Sequence, residues 1–219
     1  MASASGQGII KDSLIDYCGW NCITLGGEGG HTNDTDITNV HAYRASDVGI
    51  SIYGNRNHVV NCLARDCKGT LGGGSINSGW GFGIERGNDN LIEACTINNC
   101  DVGVGLSASY NTVHGLIATL VSKAVIFVWD NGDYCVFDGI TARGCAVLCD
   151  LLTGNNVDIT NNVCKDASTA AVQIYSGVTG TWIANNDFNG STDDIADAGT
   201  NTTYGYNRWK DGSYGLTPP

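Results

Sequence analysis

The side chains best suited to chemistry flank a glycine-rich insertion. Lys68–Gly79 (KGTLGGGSINSG) runs into Trp80-Gly81-Phe82-Gly83-Ile84-Glu85-Arg86. Asp66 and Lys68 stand just before the insertion, and Tyr53, Asp101 and Lys123 take related places in neighbouring segments. Glu85, Asp66 and Asp101 are candidate catalytic carboxylates, because a carboxyl pair can supply the acid and the base for cleaving a glycosidic bond. Tyr53 and Trp80 offer aromatic faces for sugar C–H groups, and Lys68, Arg86 and Lys123 offer cationic donors. A plainer reading stays open: Glu85–Arg86 and Asp66–Lys68 as solvated surface charges, with Trp80 covering the loop.

A second constellation is Glu93, His114 and Asp138. These residues share one position of a repeating pattern, so stacking would give a carboxylate–histidine–carboxylate ladder. Such a ladder raises a histidine pKa or holds a cation; it is also an ordinary cross-strand pairing of surface charge. No other metal set stands out. No cofactor is firmly implied, although the acidity leaves room for Ca2+.

The elements that must position these groups are legible in the composition. Of 219 residues, 31 are Gly and only 2 are Pro, both at the C-terminus. Linkers and collagen carry proline with their glycine, and helices lose about 1 kcal/mol per internal Gly relative to Ala. A chain rich in turns, with backbone N–H groups needed almost everywhere, reads as sheet with little free edge. The formal charge is −11, from 11 Lys+Arg and 22 Asp+Glu. That argues against nucleic acid and anionic lipid as partners. No apolar run spans a membrane, and the first residues lack the pattern of a signal peptide.

A repeat organises the chain. An apolar residue, a variable one, then a small or amide residue recurs from Ile10-Lys11-Asp12 through Ile37, Val59, Ile92, Val113, Phe137 and Ile159 to Ile183-Ala184-Asn185. The underlying period is 21–24 residues, lengthened at Gly26–Gly30 and Lys68–Gly79. Each unit holds three short strands and three turns, and it buries its apolar positions only by stacking on its neighbours. Eight units at about 4.8 Å each give a stack of roughly 35–40 Å. The ten Cys fall mostly in apolar columns, Cys67 with Cys100 and Cys62 with Cys95, while Cys18, Cys145 and Cys164 take core positions of their own. They read chiefly as buried thiols, with one or two disulfides as the alternative.

With this repeat the chain resembles the pectate-lyase-like superfamily, whose right-handed parallel β-helices are built of short PbH1 repeats in polysaccharide lyases, mannuronan epimerases and phage tail spikes. The resemblance implies an all-β, single-stranded right-handed parallel β-helix over residues 8–199. Residues 1–7 are then a tail or expression remnant, and 200–219 a C-terminal aromatic cap built on Tyr204, Tyr206, Trp209 and Tyr214. It implies an amide at the one-residue turn between the second and third strands, which Asn39, Asn61, Asn161 and Asn185 match and Ala94, Gly115 and Gly139 do not. It also implies a groove beside the first strand of each rung. The outward columns there read Ser51, Gly83, Gly105, Ile126, Leu148, Gln173 and Tyr53, Glu85, Ser107, Val128, Asp150, Tyr175. The in-strand glycines leave a patch poor in side chains beside Glu85. The function implied is action on polysaccharide, as lyase or glycoside hydrolase, or else non-catalytic glycan binding or assembly as in a tail spike. An extracellular or virion-associated location, and a homotrimer or preceding domain over the uncapped first rung, follow from the same resemblance. No Tyr-Gly-x-Asp-Pro-His run like that of the mannuronan epimerases, and no paired-Asp motif like that of polygalacturonases, is present.

Overall fold

The computed structural model describes residues 8–27, 30–69 and 78–218. The tail 1–7 and residues 70–77 of the insertion lie outside the described residues, as do residues 28–29 and 219. The described residues form an all-strand parallel β-solenoid of about eight turns. Every pairing between named strands is parallel except Asn207–Arg208 with Tyr214–Gly215 at the C-terminal end.

Three faces enclose one core. The first is an eight-stranded sheet: Ile23–Leu25, Val48–Tyr53, Trp80–Arg86, Val102–Leu106, Ala124–Val128, Val147–Leu151, Ala170–Ile174 and Ile195–Asp197. The second and third are joined through Thr35–Tyr43, which spans both. The repeat's apolar positions supply the core: Ile37, Val59, Ile92, Val113, Phe137, Ile159 and Ile183 are all fully buried. Burying each such side chain is worth about 1.5–3 kcal/mol.

One residue turns the chain between the second and third faces. Asp12, Asn39, Asn61, Ala94, Gly115, Gly139, Asn161 and Asn185 all have φ between 50° and 66°. Asn61 Nδ2 donates to Asn39 Oδ1 (2.6 Å), and Asn39 Nδ2 donates to Asp12 Oδ1 (3.1 Å). The column lapses at Ala94, then resumes where Asn161 Nδ2 donates to Asp138 Oδ1 (2.6 Å). A second amide column lies inside the solenoid. Asn162, Asn186 and Asn207 are buried; their Oδ1 atoms accept from the backbone N–H groups of Ile140, Asn162 and Asn186 at 2.8–2.9 Å. Cys62 and Cys95 hold the same post-turn position in earlier rungs.

Eight cysteines are buried free thiols, and Cys18 is bonded to Cys22. The core-thiol expectation for Cys18 is therefore corrected. Its rung is the first of the described ones, where Ile10, Ile15 and Cys18 itself are only half-buried. At the other end Trp209 is buried against Phe188, ring centroids 6.1 Å apart, and joins the core. Tyr206 and Tyr214 stack on each other but stay exposed. The parallel ladder continues past residue 199, into Thr203–Tyr204 against Trp182–Ile183.

Candidate functional site

The middle strands of the eight-stranded sheet bend near their start. In the fourth to sixth strands, Gly103/Val104, Val125/Ile126 and Leu148/Cys149 are consecutive buried residues. The ladder steps from Val102↔Ala124 to Val104↔Ile126 across that bend. Simple alternation fails there, and two expected columns are corrected. Ser51, Gly83 and Gly105 continue into Phe127, Asp150 and Gln173, whereas Ile126 and Leu148 are buried. Val128 is also buried. Backbone bonds put Ser107, Trp129, Leu152 and Tyr175 level in the outermost column, so Asp150 leaves it.

The glycine patch is also corrected: it is occupied. Trp80 lies across it, and a Cβ at Gly105 would overlap the Trp80 ring. At Gly83 a Cβ would stand 3.2 Å from both Trp80 and Val48. Trp80, Val48 and Val102 form an apolar cluster outside the core, with Phe127 packed against it. The glycines thus seat an aromatic side chain.

Glu85 is the extra residue of a β-bulge, since Tyr53 pairs with Arg86. Bulges re-aim side chains. Glu85 Oε1 accepts from Ser51 Oγ at 2.6 Å, and Oε2 accepts from the Tyr53 hydroxyl. Burial, together with that carboxylate, holds the Tyr53 phenol above its usual range. A carboxylate accepts about four hydrogen bonds, so Glu85 has capacity left.

Three contiguous cavities run across this face. The first, about 440 Å³, is lined by Tyr53, Glu85, Arg86, Ser107, Trp129 and Asp130 among others. The second, about 340 Å³, shares Glu85 and Trp129 and adds Asp47, Trp80, Phe127 and Leu152. The third, about 230 Å³, shares Trp80 and Phe127 and adds Val102, Lys123, Ala124 and Asp150. Of the predicted residues, Tyr53, Glu85, Trp80, Arg86 and Lys123 are therefore brought to one groove. Phe127, Trp129 and Asp130 were missed, because the bend shifts the outward positions; Asp150, read as outward, stands instead in the column of Phe127 and Gln173.

The other two carboxylates do not join Glu85. Asp66 lines a separate cavity with Asp16, Tyr43, Arg44 and Arg65, and accepts from Asn99 Nδ2 at 2.6 Å. Asp101 pairs with Lys68 at 3.2 Å. Burial alone would raise its pKa, but hydrogen bonds from Gly69 N–H, Ser122 Oγ and Lys68 hold it below the usual carboxylate range. It is level with Gly79, six residues up-strand from Glu85 and so on the order of 15–20 Å away.

The expected ladder forms only in part. His114 Nδ1 bonds Asp138 at 2.9 Å, but Glu93 turns away to His58 Nε2 at 3.1 Å. Against burial, which would raise it, bonds from Asn161, Thr160 and His114 hold the Asp138 carboxyl down. Among the described residues no three His, Cys, Asp or Glu side chains are grouped to hold a metal ion.

The family profile of the right-handed β-helix region matches residues 2–207. No curated protein matches the chain. Among solved structures, the chain is similar to the A-module of mannuronan C-5 epimerase AlgE4 from Azotobacter vinelandii. The TM-score is 0.56 at 17% identity, over 90% of this chain and 57% of that one. It is also similar to the receptor-binding domain of the tailspike of siphovirus 9NA, with TM-score 0.51 at 13% identity, over 91% and 41%. The chain spans about half the length of these structures, and at such identities the likeness shows the fold alone.

Proposed function

The chain belongs to the right-handed β-helix family, and from that premise we propose that it holds a neutral oligosaccharide in the groove of its eight-stranded sheet. The observation that carries this reading is the chain of three cavities divided by Trp129 and by the Trp80–Phe127 pair. Each is of sugar size, with an aromatic wall for C–H faces and polar groups for hydroxyls. Glu85, fixed by Ser51 and Tyr53, accepts from sugar hydroxyls with its remaining capacity. Four carboxyl groups line the groove (Asp47, Glu85, Asp130, Asp150) against two cations (Arg86, Lys123). With a net charge of −11 they repel polyuronates, so the ligand is neutral.

The test is calorimetric titration with neutral oligosaccharides, beside an oligouronate control. Trp129→Ala removes a half-exposed aromatic wall without touching the core, so it should weaken binding at least about tenfold. Equal binding by wild type and Trp129→Ala, or no binding by any neutral sugar, overturns the reading.

One observation supports turnover as a second reading. Asp130 shares a cavity with Glu85 and lies two rungs away, about 10 Å between backbones. Inverting hydrolases separate their carboxyl groups by about 6.5–9.5 Å. Release of reducing ends that both Glu85→Gln and Asp130→Asn abolish would establish it; an intact glycan after incubation leaves holding as the function.

A further inference from the structure

The third cavity differs from the other two. Its walls are apolar, from Val102, Ala124, Phe127 and the Trp80 ring, with Asp150 and Lys123 the charged groups among its lining. Two polar atoms of its lining side chains lack partners. Trp80 is 6% exposed and its Nε1–H is sealed without an acceptor, and Asp150 Oδ1 is sealed without a donor. Orphaned buried polar atoms are rare, and each costs about 1–3 kcal/mol. Asp150 stands between Phe127 and Gln173 in the ladder, neither of which is a cation. Its χ2 torsion is soft, and either carboxylate oxygen can turn toward the cavity.

Resting on the oligosaccharide reading above, we propose that this cavity is a subsite for an acetamido group, that of an N-acetylhexosamine unit. A trans amide points its N–H and its C=O in opposite directions, so a single group serves an acceptor and a donor on different walls. Its N–H donates to the Asp150 carboxylate, its methyl lies on Val102, Ala124 and Phe127, and its carbonyl meets the Trp80 indole N–H as the ring shifts to unseal it. A plain hexose places a hydroxyl where the methyl would sit and leaves the apolar wall badly covered. Burial pushes the Asp150 carboxyl up to about 6, so at neutral pH it is ionised and accepts.

The experiment is ligand-observed saturation-transfer NMR, with affinities from titration. The probes are N-acetylglucosamine, N-acetylgalactosamine and N-acetylmannosamine beside glucose, galactose and mannose, so linkage plays no part. In wild type the acetamido methyl should be the most strongly saturated proton of at least one N-acetyl sugar. That sugar should bind about tenfold more tightly than its parent, the worth of one hydrogen bond to a charged group. Asp150→Ala removes an unpaired buried carboxyl, leaves the fold intact, and should bring the ratio near one while the parent hexose binds as before. Trp80→Phe keeps an aromatic wall, removes the indole N–H, and should narrow the ratio. Equal affinities in wild type, or a ratio unchanged in Asp150→Ala, overturns the acetamido subsite. Loss of every sugar's effect on the Trp129 indole resonance overturns the oligosaccharide reading itself.

Discussion

Two outer faces carry titratable groups, and they treat them differently. On the second face, His114, Asp138, Glu93 and His58 are paired off at 2.9–3.1 Å on short three-residue strands. Glu93 and Asp138 each find a histidine one rung away. On the first face the middle strands bend, a bulge turns Glu85, and glycines admit a tryptophan. Polar groups are left partly unanswered beside aromatic walls. Stacking places like positions next to one another everywhere, which favours satisfied pairs. A binding surface needs departures from the repeat, and the first face collects them.

The comparison breaks most visibly at Gly105. Gly105→Val drives a side chain into the Trp80 ring, so it should cost about 1–3 kcal/mol by urea unfolding and abolish sugar binding. Gly115→Ala, at a φ of 62° on the turn below His114, should cost about 1 kcal/mol and leave binding untouched. Equal effects on binding would show that the glycines do not seat Trp80 for the groove.

Glu85→Gln leaves one of its two donors, Ser51 or Tyr53, poorly matched. It should destabilise by about 1–2 kcal/mol and lower the phenol midpoint of Tyr53 in an ultraviolet titration. An unchanged midpoint would mean that the pair is not formed in solution.

The smallest effects have opposite signs with pH. Asp150 has a raised pKa, so between about 4 and 6 the folded state binds more protons, and stability falls as pH rises through that window. Asp150→Asn should therefore stabilise the fold at pH 7 by on the order of 1 kcal/mol once partial exposure is allowed for, seen as a higher melting temperature. Asp138 has a lowered pKa, so its contribution is present above about pH 4 and is lost as pH falls through the folded value. Asp138→Asn should then flatten the acid limb and lower the plateau above pH 5 without changing its slope. Melting curves from pH 3 to 8 on both variants check the contrast.

Much of this was legible from spacing. The rung length, the one-residue turn and the buried columns Ala42–Ala64–Ile97 and Cys67–Cys100 follow from recurring apolar and amide positions, since a stacked repeat has to bury the same places each time. What escaped is what breaks the period. Two consecutive inward residues at the bend put Phe127 outward in place of Ile126 and Asp150 in place of Leu148, and a period-two reading has no signal for it. The inner amides had a signal, the doublets Asn161-Asn162 and Asn185-Asn186, in which one amide turns the corner and the next enters the core. Cys18–Cys22 was masked because its rung copies a core position without a core's cover. The filling of the glycine patch by Trp80 depends on a side chain crossing from one rung to the next, which no column of like positions records.

Ala94 holds the left-handed turn that asparagine or glycine holds elsewhere, with φ of 50° and no side-chain link to Asn61. An L-residue with a bare methyl there gives up about 1–2 kcal/mol. The solenoid therefore keeps an unspent reserve of thermal tolerance in mid-stack. Asparagine at this one turn would draw on that reserve while leaving the groove on the opposite side of the rung as it is.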